Sequence, residues 1–244
     1  SPGVPTDIPV VEGFKKRGIP VWGEIELAYR LSKGRVVAIT GTNGKTTTTT
    51  LVGKLMKNYF DSVFVVGNIG NPYTEEAKAM VDETVTVAEI SSFQLETIEE
   101  FHPQVSAILN ITPDHLNRHH TMECYIETKE KIALNQTKED VCVLNYDDAV
   151  TKAFGERCNA SVLYFSRLHK LQKGVYLKDD TFVYADGENE VEICKTTDLK
   201  VLGGHNHENV MSAIAMAVSM NVPMEIIRKT VMEFTAVEHR IEFV

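Results

Sequence analysis

Apolar positions along the chain fall into short blocks separated by polar turns. Val36 to Ile39, Ser62 to Val66, Thr84 to Ala88, Val105 to Leu109, Val141 to Leu144 and Ser161 to Phe165 are too short for helices and rich in β-branched residues. They read as buried strands. Between them apolar residues recur at helical spacing, first as Leu51, Val52, Leu55, Met56 and Tyr59. Further helices are expected from near Pro72, over roughly Met122 to Asn135, and from Asp147. Strands alternating with helices predict an α/β fold, a mostly parallel sheet with helices on both faces. Residues 174–202 change character. Gly174 to Leu177, Thr181 to Tyr184 and Val191 to Cys194 read as strands of a small antiparallel β meander. Helices over His207 to Met220 and Met224 to Phe234 follow. Residues 1–34 offer a turn-rich start, a short helix, a strand at Gly18 to Val21 and a helix at Trp22 to Leu31. That is too little to close a sheet, and it reads as the trailing end of a preceding domain.

The first strand runs into Gly41-Thr42-Asn43-Gly44-Lys45-Thr46-Thr47. Strand, glycine turn, lysine, hydroxyl residue and helix are the layout of a P-loop-type phosphate site. Glycines let backbone N–H groups approach phosphate oxygens, and the helix N-terminus adds partial positive charge. Lys45 is expected to reach the terminal phosphates and the Thr46 hydroxyl to ligate Mg²⁺. The spacing departs from the general pattern, since only Thr42 and Asn43 separate the two glycines. A ligand-free glycine turn is the alternative.

Composition narrows the class. With 43% hydrophobic and 24% charged residues, the chain of 244 residues is ordinary for a globular protein with ample core. A net charge of −9 argues against non-specific nucleic-acid binding, though not against a locally captured nucleotide. Cys124, Cys142, Cys158 and Cys194 form no C-x-x-C pair and suit reduced thiols without a metal or disulfide framework. No apolar run is long enough to span a bilayer, so the expectation is a cytoplasmic protein with no membrane partner.

Other candidates sit where the strands end, the place such sheets bind ligands. Glu89 closes its strand and suits a Mg²⁺ ligand, or is an ordinary strand-end carboxylate. Asn68 follows the second strand. His115, in Asn110-Ile111-Thr112-Pro113-Asp114-His115, is either catalytic or a solvated turn histidine. His119 and His120 read as surface residues. Lys129 is, by spacing alone, one more helix-surface lysine. Asn206 and Asn209, one turn apart, suit an adenine edge or a helix cap.

Taken together, these strings resemble the Mur ligases, ATP-dependent enzymes that add amino acids to the peptidoglycan precursor. The loop at residues 41–47 is that family's form, which accounts for its spacing. Ser1-Pro2-Gly3-Val4, Glu89-Ile90-Ser91-Ser92-Phe93-Gln94-Leu95-Glu96, Asn110 to His115, His205-Asn206 with Asn209, and Glu238-His239-Arg240-Ile241-Glu242 extend the likeness along the whole chain. Within the family it is nearest to members that join D-glutamate to UDP-N-acetylmuramoyl-L-alanine.

The resemblance implies residues 1–34 as the tail of an N-terminal UDP-substrate domain with its linker. Residues 35–238 would be the central ATP-binding domain and 239–244 the start of a hinge to a third domain. It implies an acyl-phosphate intermediate, ATP and two Mg²⁺. Lys45, Glu89, His115 and Lys129 would be catalytic, with Thr46, Glu89, His115 and Lys129, the last as a carbamate, holding metal. Gly41, Thr42, Asn43, Gly44, Lys45, Thr46, Thr47, Asn206, Asn209 and Arg240 would bind nucleotide. Ser1, Gly3 and Asn68 would meet the precursor. A monomer is expected, with no amide-bond formation by this stretch alone. The competing expectations are a related Mur-type or folylpolyglutamate-type ligase, a plain NTPase, and a nucleotide-binding module without ligase activity.

Overall fold

The structure, a computed structural model, describes residues 2–201 and 203–235. Two helices lead in, α1 (Pro9–Lys16) and α2 (Glu24–Leu31). Then come β1 (Arg35–Thr40), α3 (Lys45–Lys57), β2 (Val63–Gly67), α4 (Tyr73–Glu76), β3 (Val85–Glu89) and α5 (Ser92–Leu95). They are followed by β4 (Val105–Ile108), α6 (Leu116–His119), α7 (Met122–Glu130), β5 (Val141–Asn145), α8 (Ala149–Gly155) and β6 (Ser161–Ser166). The chain closes with β7 (Lys173–Lys178), β8 (Thr181–Asp186), β9 (Glu190–Lys195), α9 (Gly204–Ser219) and α10 (Met224–Glu233).

All the strands pair into one nine-stranded sheet of order β2-β3-β1-β4-β5-β6-β7-β8-β9. From β2 through β7 every pairing is parallel. Only the β7–β8 and β8–β9 ladders are antiparallel. The expected meander is therefore the far edge of the main sheet, because β7 pairs with β6 through Tyr164 and Gly174. The strand expected at Gly18 to Val21 does not form. Pro20 has no N–H to give a ladder, and Trp22 beside it instead donates its Nε1 proton to Glu99 at 3.0 Å.

Alternation along β1 divides the core in two. Val37 and Ile39 face α3, α9 and α10, together with Val85, Val87 and Val143. Val36 and Ala38 face the opposite way, in a layer that includes Ile25 and Ala28 of α2, Ala88, Cys142 and Leu144. Each fully buried branched side chain contributes roughly 1.5–3 kcal/mol. That explains why the threonine run Thr46 to Thr50, a mediocre helix former, is helical: Leu51, Val52, Leu55 and Met56 are fully buried beneath it.

A buried acid also fastens α2. Glu26 accepts from Arg30 Nε at 2.6 Å and from the backbone N–H groups of Glu99, Glu100 and Phe101. Among the described residues no helix is long and apolar enough to cross a membrane.

Candidate functional site

In the sheet order β1 lies between β3 and β4, and the chain after it turns first toward β2 and later toward β5. The crevice beyond its carboxyl end is where such a reversal leaves room for a ligand. Gly41 to Gly44 fill that position. Gly44 is left-handed at φ 85°, and a Cβ there would stand 2.2 Å from Asn209 Oδ1. Glycine is required on both counts.

The turn after β4 braces the loop. Asn110 Oδ1 accepts from Asn43 N at 2.9 Å, and its Nδ2 donates to Asn43 O at 3.1 Å. Thr42 donates its backbone N–H to Asn110 O, and its hydroxyl accepts from Thr112 N at 3.0 Å.

Two lysines converge on one carbonyl. Lys45 Nζ donates to Gly41 O at 3.0 Å and to Thr42 O at 2.9 Å. Lys129 Nζ, on a side chain 1% exposed, donates to the same Gly41 O at 2.9 Å. It also lies 4.8 Å from the centre of the Tyr125 ring. Lys129 is thus no surface lysine. Burial, reinforced by the neighbouring Lys45 charge, pushes its amine down to about 7.

Glu89 pairs in register with Ile39, so its side chain leaves the sheet on the α3 face, as Val85 and Val87 do. It is 1% exposed. Asn68 Nδ2 donates to its Oε1 at 2.9 Å, while Oε2 is buried without a hydrogen-bond partner. A buried carboxylate oxygen left bare is costly, and a hard divalent cation is the partner its chemistry suits.

His115 is not buried as these groups are. It is half-exposed, left-handed at φ 51°, and tilted over the Phe93 ring at 5.0 Å. Among the described residues no three His, Cys, Asp or Glu side chains gather as a metal cluster. The acids and imidazoles of the expected metal set number only Glu89 and His115.

His119 corrects the sequence reading. It is 2% exposed, not a surface residue, with Nε2 2.9 Å from Ser92 Oγ and its ring near Phe93 and Tyr125. Burial first, then the Lys129, Arg118 and His115 charges, lower its pKa despite the opposing pull of Glu96.

Beside the loop opens a cleft of about 610 Å³, within the range of small-molecule sites. Asn43 and Asn110 form one wall; Asp147, Asp148, Arg167, His205 and Glu208 form others. Asn209 is 7% exposed and lies against Gly44, donating to Asn206 Oδ1 at 3.3 Å. Ser1 and Arg240 lie outside the described residues, as do the Glu238 to Glu242 string and the hinge at 239–244. Gly3 is exposed on the lead-in segment.

The family model for the Mur ligase middle domain matches residues 39–217. The chain belongs to the Mur ligase family. It is 57% identical over its full length to the UDP-N-acetylmuramoylalanine--D-glutamate ligase of Lachnoclostridium phytofermentans, covering 54% of that protein. It is 51% identical to the same-named ligase of Clostridioides difficile, again covering 54% of it. The chain spans about half the length of the curated relatives it matches. Among solved structures, a UDP-N-acetylmuramate:L-alanyl-gamma-D-glutamyl-meso-diaminopimelate ligase from Neisseria meningitides superposes with a TM-score of 0.69 at 16% identity. The match covers 97% of this chain and 78% of that one. A UDP-N-acetylmuramoyl-L-alanyl-D-glutamate--2,6-diaminopimelate ligase gives 0.68 at 24% identity, over 90% and 50% of the two chains. At these identities the structures attest the fold.

As a Mur ligase domain, the chain has cleft walls that sequence reasoning did not single out. Asp147 accepts from Ser166 Oγ at 2.6 Å, Arg167 N at 2.7 Å and His169 Nδ1 at 2.9 Å. Burial raises its pKa, but these bonds outweigh burial and hold it below the ordinary carboxylate value. Arg167 Nε pairs with Glu208 at 3.2 Å across the cleft's edge. The signal was available: Asn145-Tyr146-Asp147-Asp148 follows a strand, in the position that exposed Glu89 and Asn110.

Proposed function

We propose that this chain is the ATP-binding part of a MurD-type ligase, which joins the amine of D-glutamate to the carboxylate of UDP-N-acetylmuramoyl-L-alanine. The carrying observation is the pair of lysines on Gly41 O, with the bare Glu89 Oε2 one strand away. On this reading residues 1–34 end the precursor-binding domain, 35–238 form the ATP-binding domain and 239–244 begin a hinge.

A carboxylate is a poor acyl donor until an oxygen becomes a leaving group. Transfer of the γ-phosphoryl from ATP to that oxygen gives an acyl phosphate. The D-glutamate amine then attacks its carbonyl carbon, and phosphate departs. Bringing the anions together demands cations at the phosphates. Lys45 leaves its loop carbonyls to pair with the β and γ oxygens, while the Gly41 to Gly44 backbone and the α3 N-terminus cradle them. Thr46 and Glu89 would hold one Mg²⁺, and His115 would contribute to holding a second. Bound there, Mg²⁺ supplies charge neutralisation for phosphoryl transfer.

Lys129 takes up CO₂. Its neutral amine adds to the carbon and releases a proton, converting a cation into an anionic oxygen donor. An amine held near 7 is about half neutral at pH 7, as that step requires. Asn68 orients Glu89 and reaches the precursor, and Asn206 and Asn209 meet the adenine edge, Asn209 also lying against Gly44.

Calorimetric titration of this chain with ATP, with and without Mg²⁺, tests the reading. Mg²⁺ is expected to tighten binding, and Glu89→Gln to weaken the Mg²⁺-dependent part at least tenfold while leaving metal-free binding unchanged. Equal binding by both proteins at saturating Mg²⁺ would remove Glu89 from the metal site. In assays with both amide-forming substrates, this chain alone is expected to form no product. A protein of the relatives' full length is expected to turn over.

A further inference from the structure

The lead-in segment lies on the sheet domain without an apolar anchor. None of residues 2–24 is buried, those of α1 included. Between the segment and the domain a cavity of about 190 Å³ stays open, lined by Val4, Val11, Trp22, Phe93 and Arg118 among others. Polar contacts hold the segment instead. At its far end Trp22 donates to Glu99. Toward its start the anchor is a charged fork. Arg118 Nε and Nη2 donate to the two Glu96 oxygens at 2.9 and 2.8 Å, and Nη2 also donates to Val4 O at 3.0 Å. Thr6 donates its hydroxyl to Glu96 Oε2 at 3.3 Å, so both members of the pair grip the same stretch. Lys15 Nζ donates to Thr6 O at 3.2 Å and ties α1 to it.

This pair differs from a solvated surface bridge. Its side chains are 13% and 12% exposed, and two parallel N–H bonds to one carboxylate fix the guanidinium plane. That plane lies 5.1 Å from the centre of the Phe93 ring. The neighbouring His120–Asp7 contact, at 3.7 Å between exposed side chains, contributes little by comparison. The position of the fork matters as much as its geometry. Arg118 is on α6, with its backbone N–H on His115 O at 2.9 Å. Glu96 caps the end of α5, the helix that follows Glu89. Val4 adjoins Gly3.

We propose that Arg118 is a positioning residue, a latch that registers the precursor-contacting segment against the two turns carrying Glu89 and His115. The inference rests on the ligase reading, in which Gly3 meets the precursor and those two residues hold metal. A segment already held in place binds its ligand without first being ordered. Loss of the latch therefore weakens the precursor and spares ATP, whose phosphate loop Arg118 does not touch. It also frees α1, because an eight-residue helix is marginal on its own.

Amide hydrogen exchange of this chain reads the latch directly. In Arg118→Gln, exchange across α1 is expected to quicken about tenfold while α3 and β1 keep their native rates. A general loss of stability would quicken all three together. Should Arg118→Gln fail to fold, Arg118→Lys keeps a charge beside Glu96 without the fork, and the same pattern is expected at smaller amplitude. In a protein of the relatives' full length, Arg118→Lys should raise KM for UDP-N-acetylmuramoyl-L-alanine about fivefold and leave kcat and KM for ATP within about twofold. Unchanged exchange across α1, or an equal rise in α1 and α3, would overturn the latch. Faster exchange in α1 with an unchanged precursor KM would overturn its part in registering the precursor. A native full-length protein that forms no amide would defeat the ligase reading, whereas the exchange pattern would still decide whether Arg118 holds the segment.

Discussion

Replacing Lys129 by methionine removes a cation that the interior disfavours and keeps most of the side-chain volume. In the folded chain the amine sits near 7, against about 10.4 when exposed in the unfolded chain. The sign follows from which state binds the proton more readily, here the unfolded one. The penalty is absent above pH 10.4, grows as pH falls, and is complete below 7. With those two values it is about 2 kcal/mol at pH 9 and about 4 kcal/mol at pH 7. The wild-type chain should therefore lose about 2 kcal/mol relative to Lys129→Met between pH 9 and pH 7. Loss of the bonds to Gly41 O and Thr40 Oγ1 shifts the variant's absolute stability but not this difference. Urea melts of both proteins at the two pH values, in buffers stripped of carbon dioxide, measure it. A stability difference that stays constant within about 0.5 kcal/mol would show that the ammonium is not disfavoured, and the proposed carbamate chemistry would lose its basis.

Gly44→Ala forces a Cβ into a left-handed residue and into the Asn209 amide at 2.2 Å. A loss of about 2–3 kcal/mol is expected in urea melts, partly recovered in Gly44→Ala/Asn209→Ala; a change under about 0.5 kcal/mol would contradict the described loop. Glu26, raised by burial but lowered further by the Glu99, Glu100, Phe101 and Arg30 donors, has a net depressed pKa. Its contribution is present above the unfolded carboxylate value of about 4.3 and lost as pH falls through the lower folded value. Glu26→Gln should cost about 2–4 kcal/mol at pH 7 and less in acid, so melts showing an equal loss at both would refute the charge-based account.

What the sequence revealed divides by how local the cause is. The Gly41 to Thr46 loop is written in consecutive residues, because turn conformation and helix start are short-range matters, and its position after β1 held. Glu89 was legible as a strand terminus. Its bare oxygen was not, since that depends on Asn68 just after β2 and on α3 lying over the same face. His119 was misread as exposed because its cover comes from Ser92, Phe93 and Tyr125, all outside its own helix. Lys129 has the same cause, with acceptors about ninety residues upstream. The family resemblance singled it out, whereas helical spacing alone did not. The edge hairpins were read as strands, but their joining to β6 depends on a pairing between Tyr164 and Gly174 that no turn signal encodes.

Among the described residues, the buried side-chain polar atoms without partners are the Thr48, Thr49 and Tyr176 hydroxyls and Glu89 Oε2. A neutral hydroxyl so placed costs roughly 1–3 kcal/mol, and an ionised carboxylate oxygen costs more. Stability alone would replace Glu89 with glutamine or an apolar residue, as Val85 and Val87 are on the same strand face. The fold instead keeps the carboxyl group there, with the Asn68 amide bonded to one oxygen and the other left bare. At the neighbouring loop, Lys45 donates to the Gly41 and Thr42 carbonyls, and burial lowers the Lys129 amine to about 7. The proposed Mg²⁺ site rests on that bare oxygen, because a hard divalent cation is the partner a buried carboxylate suits.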